Sequence, residues 1–306
     1  MTFSRFASLA ALPILCACGS DPSPPPGSGP PVPATDAGVV LADGGSVGAD
    51  GGDIAEGAAP VREAGDPGDT AAPPPGMLKP GLSTMTFTIA GQARSVIVYV
   101  PAAVTMGRIP LVLGLHGNGD TNTNFIATSG LKALADSGGF VLAAPQGITQ
   151  SFTYMGQPVN GVDWDAYRPA SGGNIDLPLL DAVRQALQAS GSIDAHHVLV
   201  YGYSQGGYLS FRYGMEAAAS LSCAAVLAAA DPLPGAGLVT KAARKIPVAL
   251  QIGTMDYNIG GARSTKTELE QNGNPLSYVE VSGAGHVPIP GDPKAPLEYC
   301  RGQSLP

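Results

Sequence analysis

The 306-residue chain is poor in positive charge, in histidine and in cysteine, and each shortage narrows what it can do. Lys and Arg number 16 against 24 Asp and Glu, a formal net charge of −8. That balance argues against a nucleic-acid partner, whose phosphates need a basic surface. No stretch reaches the roughly 18 to 20 apolar residues that cross a bilayer, which argues against an integral membrane protein. With four His and one Trp, the candidates for a general base or an aromatic anchor are few enough to weigh one by one.

Glycine (42) and proline (29) are abundant but unevenly spread. Residues 19–76 hold 13 Gly and 12 Pro, nine acidic side chains against Arg62 alone, and no aromatic. Such a stretch cannot bury enough apolar surface to offset its chain entropy and reads as a disordered tether. As a coil it spans ~40 Å root-mean-square. The negative charge belongs to this stretch; residues 77–306 carry 14 basic and 15 acidic groups. The tether follows a leader in which Arg5 precedes the apolar run Phe6–Leu15 and then Leu15-Cys16-Ala17-Cys18. A short basic start, an apolar core too short to span and small residues at the cut are the parts of a secretory signal. The Leu-x-Ala-Cys ending resembles the bacterial lipoprotein signal, with Cys18 as the lipidated residue and an incidental Cys in an ordinary signal as the alternative. The division is therefore 1–17 signal peptide, 18–79 tether and 80–306 folded domain. The implied location is extracytoplasmic, either membrane-anchored through an N-terminal lipid or secreted.

Loss of Cys16 with the signal and acylation of Cys18 leave Cys223 and Cys300 in an oxidising compartment. A disulfide between them is one reading; a buried free Cys223 and an exposed Cys300 is the other. No His or Cys lies near either at ligand spacing, so a metal site is not expected.

From about residue 80 the pattern is that of a packed domain. Residues 84–90 and 95–100, flanking Gly91-Gln92, read as a hairpin. Short apolar runs at 109–115, 140–144, 198–203, 224–229, 246–252 and 277–281 read as strands. Between them, 122–137, 176–190, 205–219 and 265–271 read as helices. Strands buried on both faces and alternating with helices imply an α/β domain: a mainly parallel sheet with helices on both faces.

The chemistry gathers where the strand ending at Tyr203 meets the helix starting at Gln205. Gly202-Tyr203-Ser204-Gln205-Gly206 is a G-x-S-x-G motif in a strand–turn–helix context, which lifts the serine hydroxyl above the sheet edge. A second match, Gly44-Gly45-Ser46-Val47-Gly48, has neither strand nor helix beside it and is set aside. Of the histidines, His196 and His197 lie at the start of the Ser204 strand, roughly 20 Å from its other end. His116 sits in Leu115-His116-Gly117-Asn118-Gly119, where glycine turns present main-chain N–H groups to a substrate. That leaves His286, in a loop after the last strand, as the base. The acid should follow a strand between Ser204 and His286. Asp256 is preferred to Asp231, whose Asp-Pro dipeptide reads as a turn start. Asp176 is read as a helix cap rather than a catalytic acid.

With Leu115-His116-Gly117, Ala144-Pro145-Gln146-Gly147, Ile193-Asp194, Gly202-Tyr203-Ser204-Gln205-Gly206-Gly207, Gly253-Thr254-Met255-Asp256 and Gly283-Ala284-Gly285-His286 in place, residues 84–290 resemble a known family. It is that of the α/β-hydrolase esterases grouped with poly(3-hydroxybutyrate) depolymerases and feruloyl or acetylxylan esterases. The resemblance implies an α/β-hydrolase fold and a serine esterase without cofactor or metal. Ser204 would be nucleophile, His286 base and Asp256 acid, with the N–H groups of Asn118 and Gln205 as oxyanion hole. The implied partner is a carboxylic ester, polymeric in some members, such as a hydroxyalkanoate or a feruloyl or acetyl polysaccharide ester. His116, Trp164, Tyr203 and Tyr208 are the candidate pocket residues, core packing being the other reading of Trp164. Two departures, Ile252 where the family has His and Val287-Pro288 where it often has an aromatic, are expected near the acyl or alcohol pocket. A serine peptidase of the same fold and a non-catalytic surface lipoprotein are the alternative functions.

Overall fold

A computed structural model describes residues 78–104, 107–288 and 293–306. The signal peptide, Cys18 and all but the last two residues of the tether lie outside the described residues. The order of elements follows from the alternation of apolar runs and amphipathic stretches. Strands β1 (Gly81–Ile89) and β2 (Gln92–Val100) form the expected hairpin, but its turn is at Ala90-Gly91 and Gln92 already belongs to β2. The two turn residues both have positive φ, the backbone that matches the twist of a two-residue hairpin. Then come β3 (Ile109–Leu115), α1 (Asn122–Thr128), α2 (Leu131–Gly138) and β4 (Val141–Pro145). The single helix expected over 122–137 is two, because Gly130 takes φ 74° and turns the chain between them.

After β4 comes a two-stranded hairpin that the periodicity did not reveal, β5 (Gln150–Tyr154) and β6 (Gln157–Val162). The order continues α3 (Asp176–Ala189), β7 (Ile193–Tyr203), α4 (Gln205–Glu216), β8 (Cys223–Leu227), α5 (Leu238–Lys241) and β9 (Val248–Gly253). It closes with α6 (Ile259–Asn272), β10 (Leu276–Val281) and α7 (Lys294–Arg301). The eight-stranded sheet runs β1-β2-β4-β3-β7-β8-β9-β10. All neighbours from β4 to β10 are parallel, and β1 and β2 join antiparallel at one edge.

Both faces of the sheet are covered. On β7, Val198 and Val200 enter one apolar cluster with Leu180 and Val183 of α3 and Leu209 of α4. The alternate residues Leu199 and Tyr201 enter the other with Phe125 of α1, Leu131 of α2 and Leu297 of α7. The period of two sends successive side chains to opposite faces, and neither face meets water. The carboxyl ends of β3, β7 and β9 thereby lie along one sheet edge, where loops from separate parts of the chain converge.

Cys223, the first residue of β8, is bonded to Cys300 of α7, and both are fully buried. The bond pins the C-terminal helix to a central strand and closes a loop of 77 residues in sequence. Replacing both cysteines with alanine in the full chain is expected to cost about 2 to 4 kcal/mol, read as a lowered urea midpoint. An unchanged midpoint would show that packing of Leu297 and its neighbours holds α7 without the bond. Among the described residues no helix is long and apolar enough to cross a membrane.

Candidate active site

Strand β7 ends at Tyr203 and α4 begins at Gln205, so Ser204 must reverse the chain alone. It does so with φ 52° and ψ −119°, a conformation that costs a non-glycine residue of order 1 to 3 kcal/mol. Its N–H donates to the Leu227 carbonyl (2.9 Å), which anchors the turn to β8. The turn is tight enough that two glycines are sterically required. A methyl at Gly202 would sit 2.1 Å from the Gly206 carbonyl oxygen, and one at Gly206 would sit 2.4 Å from that of His116.

The Ser204 hydroxyl donates to His286 Nε2 (2.8 Å), and His286 Nδ1 donates to Asp256 Oδ2 (2.9 Å). A carboxylate only accepts, so the proton on His286 sits on Nδ1 and leaves Nε2 free to receive the serine proton. Two loops bring these groups together. Thr254 and Met255 donate their N–H groups to Val281 and Ala284 (2.9 Å each), lacing the loop after β9 to the loop after β10. The Asp256 carboxylate is buried and receives the Asn258 N–H on Oδ1 (2.8 Å). The His286 ring lies between Tyr257 (4.5 Å between centroids) and Tyr203 (5.5 Å), both tilted by 35°.

Asp231 is elsewhere. Its carboxylate receives the Leu233 N–H (2.8 Å), as a turn-starting Asp does, and faces Glu268. Burial pushes its pKa up, against the lowering effects of the Leu233 N–H, Arg212 and Glu268. His196 and His197 hydrogen-bond to the Leu305 carbonyl (3.3 Å) and the Asp194 carboxylate (2.8 Å), away from Ser204.

The expected pocket residues divide. Tyr203 lines a cavity of about 470 Å³ beside Ser204, together with Gly117, Asn118, Phe125, Thr128 and Pro288. Burial pushes its hydroxyl pKa up to about 12, so it stays a neutral donor at physiological pH. Tyr208 instead donates its hydroxyl to Asn258 Oδ1 (2.7 Å), in the loop that holds Asp256. His116 and Trp164 are both 0% exposed and do not line the cavity. Trp164 packs against the Leu115–Gly119 loop, of which His116 is a member, and its indole N–H donates to the His116 carbonyl (2.9 Å). Ile252 is likewise at 0% exposure in the core, so of the two departures only Val287 (42% exposed) and Pro288 are near the cavity.

Asp176 is not a cap. Asn174 caps α3, accepting the N–H groups of Asp176 and Leu177 (2.8 and 3.0 Å). The Asp176 carboxylate forms a buried ion pair with Arg94 (2.6 Å) and receives the Asp165 N–H (2.7 Å). Sequence reasoning also missed Asp163 and Asn258. Their roles depend on contacts across 44 and 50 residues, for which no local signal exists. Gln205 Oε1 accepts the N–H groups of Asp163 and Trp164 (2.8 and 3.1 Å), so its side chain is tied to the end of β6. Its own N–H, at the first turn of α4, has no acceptor within the helix and is available to a ligand. Among the described residues no group of three or more His, Cys, Asp or Glu is arranged to hold a metal.

No protein-family profile matches the chain. It is 30% identical over 131 residues to the protein named "Putative esterase NocK" of Nocardia uniformis subsp. tsuyamanensis, covering 42% of this chain and 36% of that protein. It is 24% identical over 238 residues to the bifunctional acetylxylan esterase/xylanase XynS20E of Neocallimastix patriciarum, 66% of this chain and 32% of that protein. The chain thus spans about a third of the length of these curated relatives. Among solved structures it is similar to a thermostable esterase (TM-score 0.57, 20% identity), covering 73% of this chain and 63% of that one. It is also similar to an acetyl xylan esterase from Aspergillus awamori (TM-score 0.55, 14% identity), over 71% of this chain and 98% of that one. Together with the strand order, these likenesses define the fold as that of the α/β-hydrolases.

Proposed function

We propose that the chain is a serine esterase that cleaves carboxylic esters through an acyl-enzyme. The observation that carries this reading is the unbroken line Ser204 Oγ–His286 Nε2 and His286 Nδ1–Asp256 Oδ2, at 2.8 and 2.9 Å, with the Asp256 carboxylate buried and the neighbouring Tyr203 lining a cavity. Attack of Ser204 Oγ on the ester carbonyl forms the new C–O bond as His286 takes the hydroxyl proton. The oxyanion is received by the N–H groups of Asn118 and Gln205. On collapse the C–O bond to the alcohol breaks and His286 protonates the leaving oxygen. Water then repeats the sequence and releases the acid.

The names of the relatives point to esterase chemistry, with feruloyl and acetyl xylan esterases among the structural neighbours. The cavity suits a neutral acyl or alcohol group, because Asp120 is the one charged residue among those that line it. A polysaccharide or hydroxyalkanoate ester is the proposed natural class. The test is turnover of a short-chain p-nitrophenyl ester, with Ser204→Ala as control; equal rates would sink the reading. A panel of acetylated xylan, feruloyl sugars and hydroxybutyrate oligomers then assigns the substrate.

Anchoring is part of the same proposal. The Leu15-Cys16-Ala17-Cys18 ending supports lipidation at Cys18, which would hold the enzyme on an extracytoplasmic membrane face. In a bacterial host, labelled palmitate should enter the protein and be lost with Cys18→Ser; label retained in that variant would refute the assignment.

A further inference from the structure

The Leu115–Gly119 loop is held, group by group, from below. The His116 carbonyl receives the Trp164 indole N–H (2.9 Å), and the Gly117 carbonyl is 2.7 Å from His116 Nδ1. Asn118 Oδ1 receives the Asp163 N–H (3.3 Å), and the Gly119 N–H donates to Asp163 Oδ2 (2.5 Å). The hydrogen-bond partners of His116 also reveal its tautomer. The Gly147 N–H donates to His116 Nε2 (3.0 Å), and a main-chain N–H cannot accept, so Nε2 bears a lone pair and the ring proton is on Nδ1. That proton is directed at the Gly117 carbonyl.

We propose that His116 is a positioning residue for the oxyanion hole: as a neutral imidazole protonated at Nδ1, it holds the Gly117 carbonyl and thereby aims the Asn118 N–H at the substrate carbonyl. The inference rests on the esterase reading and goes beyond it. In a planar trans peptide the C=O of Gly117 and the N–H of Asn118 point in opposite directions, so fixing one aims the other. The loop passes beside the nucleophile: a side-chain carbon at Gly117 would lie 3.6 Å from Ser204 Cβ.

His116 is 0% exposed and packs on Trp164 (4.8 Å between centroids), so it acts through the loop and touches no substrate. Burial holds its pKa below the usual histidine range, against the raising effects of the Gly117 carbonyl and of Asp163, Asp120 and Asp176 around it. A protonated ring would set an Nε2 proton against the Gly147 N–H, so the neutral form is the one the surroundings accept.

The test compares His116→Asn, whose amide nitrogen can reach the place of Nδ1, with His116→Gln, whose amide lies at the place of Nε2, in the full chain. For p-nitrophenyl ester hydrolysis, His116→Gln is expected to lower kcat about 10- to 100-fold with KM within about threefold. His116→Asn should stay within about threefold of wild type. Affinity for a boronic acid, which forms a tetrahedral adduct on Ser204, should fall in step with kcat. Wild-type kcat in His116→Gln, or parallel losses of kcat and thermal stability in both variants, would overturn the proposal. A wild-type chain no faster than Ser204→Ala would instead overturn the esterase reading, and this inference with it.

Discussion

Ser204→Ala and His286→Ala are each expected to lower kcat for a short-chain p-nitrophenyl ester by roughly 10⁴- to 10⁶-fold, and the double variant to be no slower than either. The reason lies in the shared proton path. Without His286 the Ser204 hydroxyl has no base, and without Ser204 the imidazole has nothing to activate, so the second removal costs nothing more. Asp256→Asn should lower kcat by about 10⁴-fold, because an amide at that place can donate to Nδ1 and select the wrong tautomer. Asp231→Asn should leave kcat within about twofold, since its carboxylate engages the Leu233 N–H and faces Glu268, with no contact to His286. Steady-state kinetics on the five variants decide the matter. A large loss with Asp231→Asn alongside activity in Asp256→Asn would reverse the assignment of the acid.

Gly202→Ala is expected to destabilise the protein by about 4 kcal/mol or more, the upper range for a single substitution, and to leave little soluble enzyme. The methyl would meet the Gly206 carbonyl oxygen at 2.1 Å and Ser210 Oγ at 2.3 Å. The serine hydroxyl can rotate, but the carbonyl cannot retreat without moving the first turn of α4. That turn is itself wedged against the His116 carbonyl, 2.4 Å from where a Gly206 methyl would lie. Relief at one contact therefore tightens the other. Thermal melts of whatever folds would measure the loss; a variant within a few degrees of wild type would show that α4 can slide.

Ser204 was legible because everything that defines it is local. An apolar strand, a glycine-flanked turn and a helix occupy one continuous stretch, and the strained φ of 52° is the geometric consequence. His286 was legible through scarcity, as the other three histidines were tied to a strand start or a glycine loop. The β5–β6 hairpin was not, because its strands hold only exposed and half-buried residues and carry no buried face.

Local chemistry in the sequence alone therefore determined the class of fold and singled out Ser204 and His286 as the proposed nucleophile and base. It also set the acidic Gly/Pro-rich stretch apart from the nearly neutral remainder. Four matters waited on tertiary structure: the pairing of His286 with Asp256 rather than Asp231, the bond between Cys223 and Cys300, the burial of His116 and Trp164, and the capping of α3 by Asn174 instead of Asp176. Three of these join residues 30 to 77 positions apart, and the fourth turns on an Asp drawn to Arg94 across 82. Strand and helix periodicity reports which face a side chain takes. Only the packed sheet decides which distant partner it meets there.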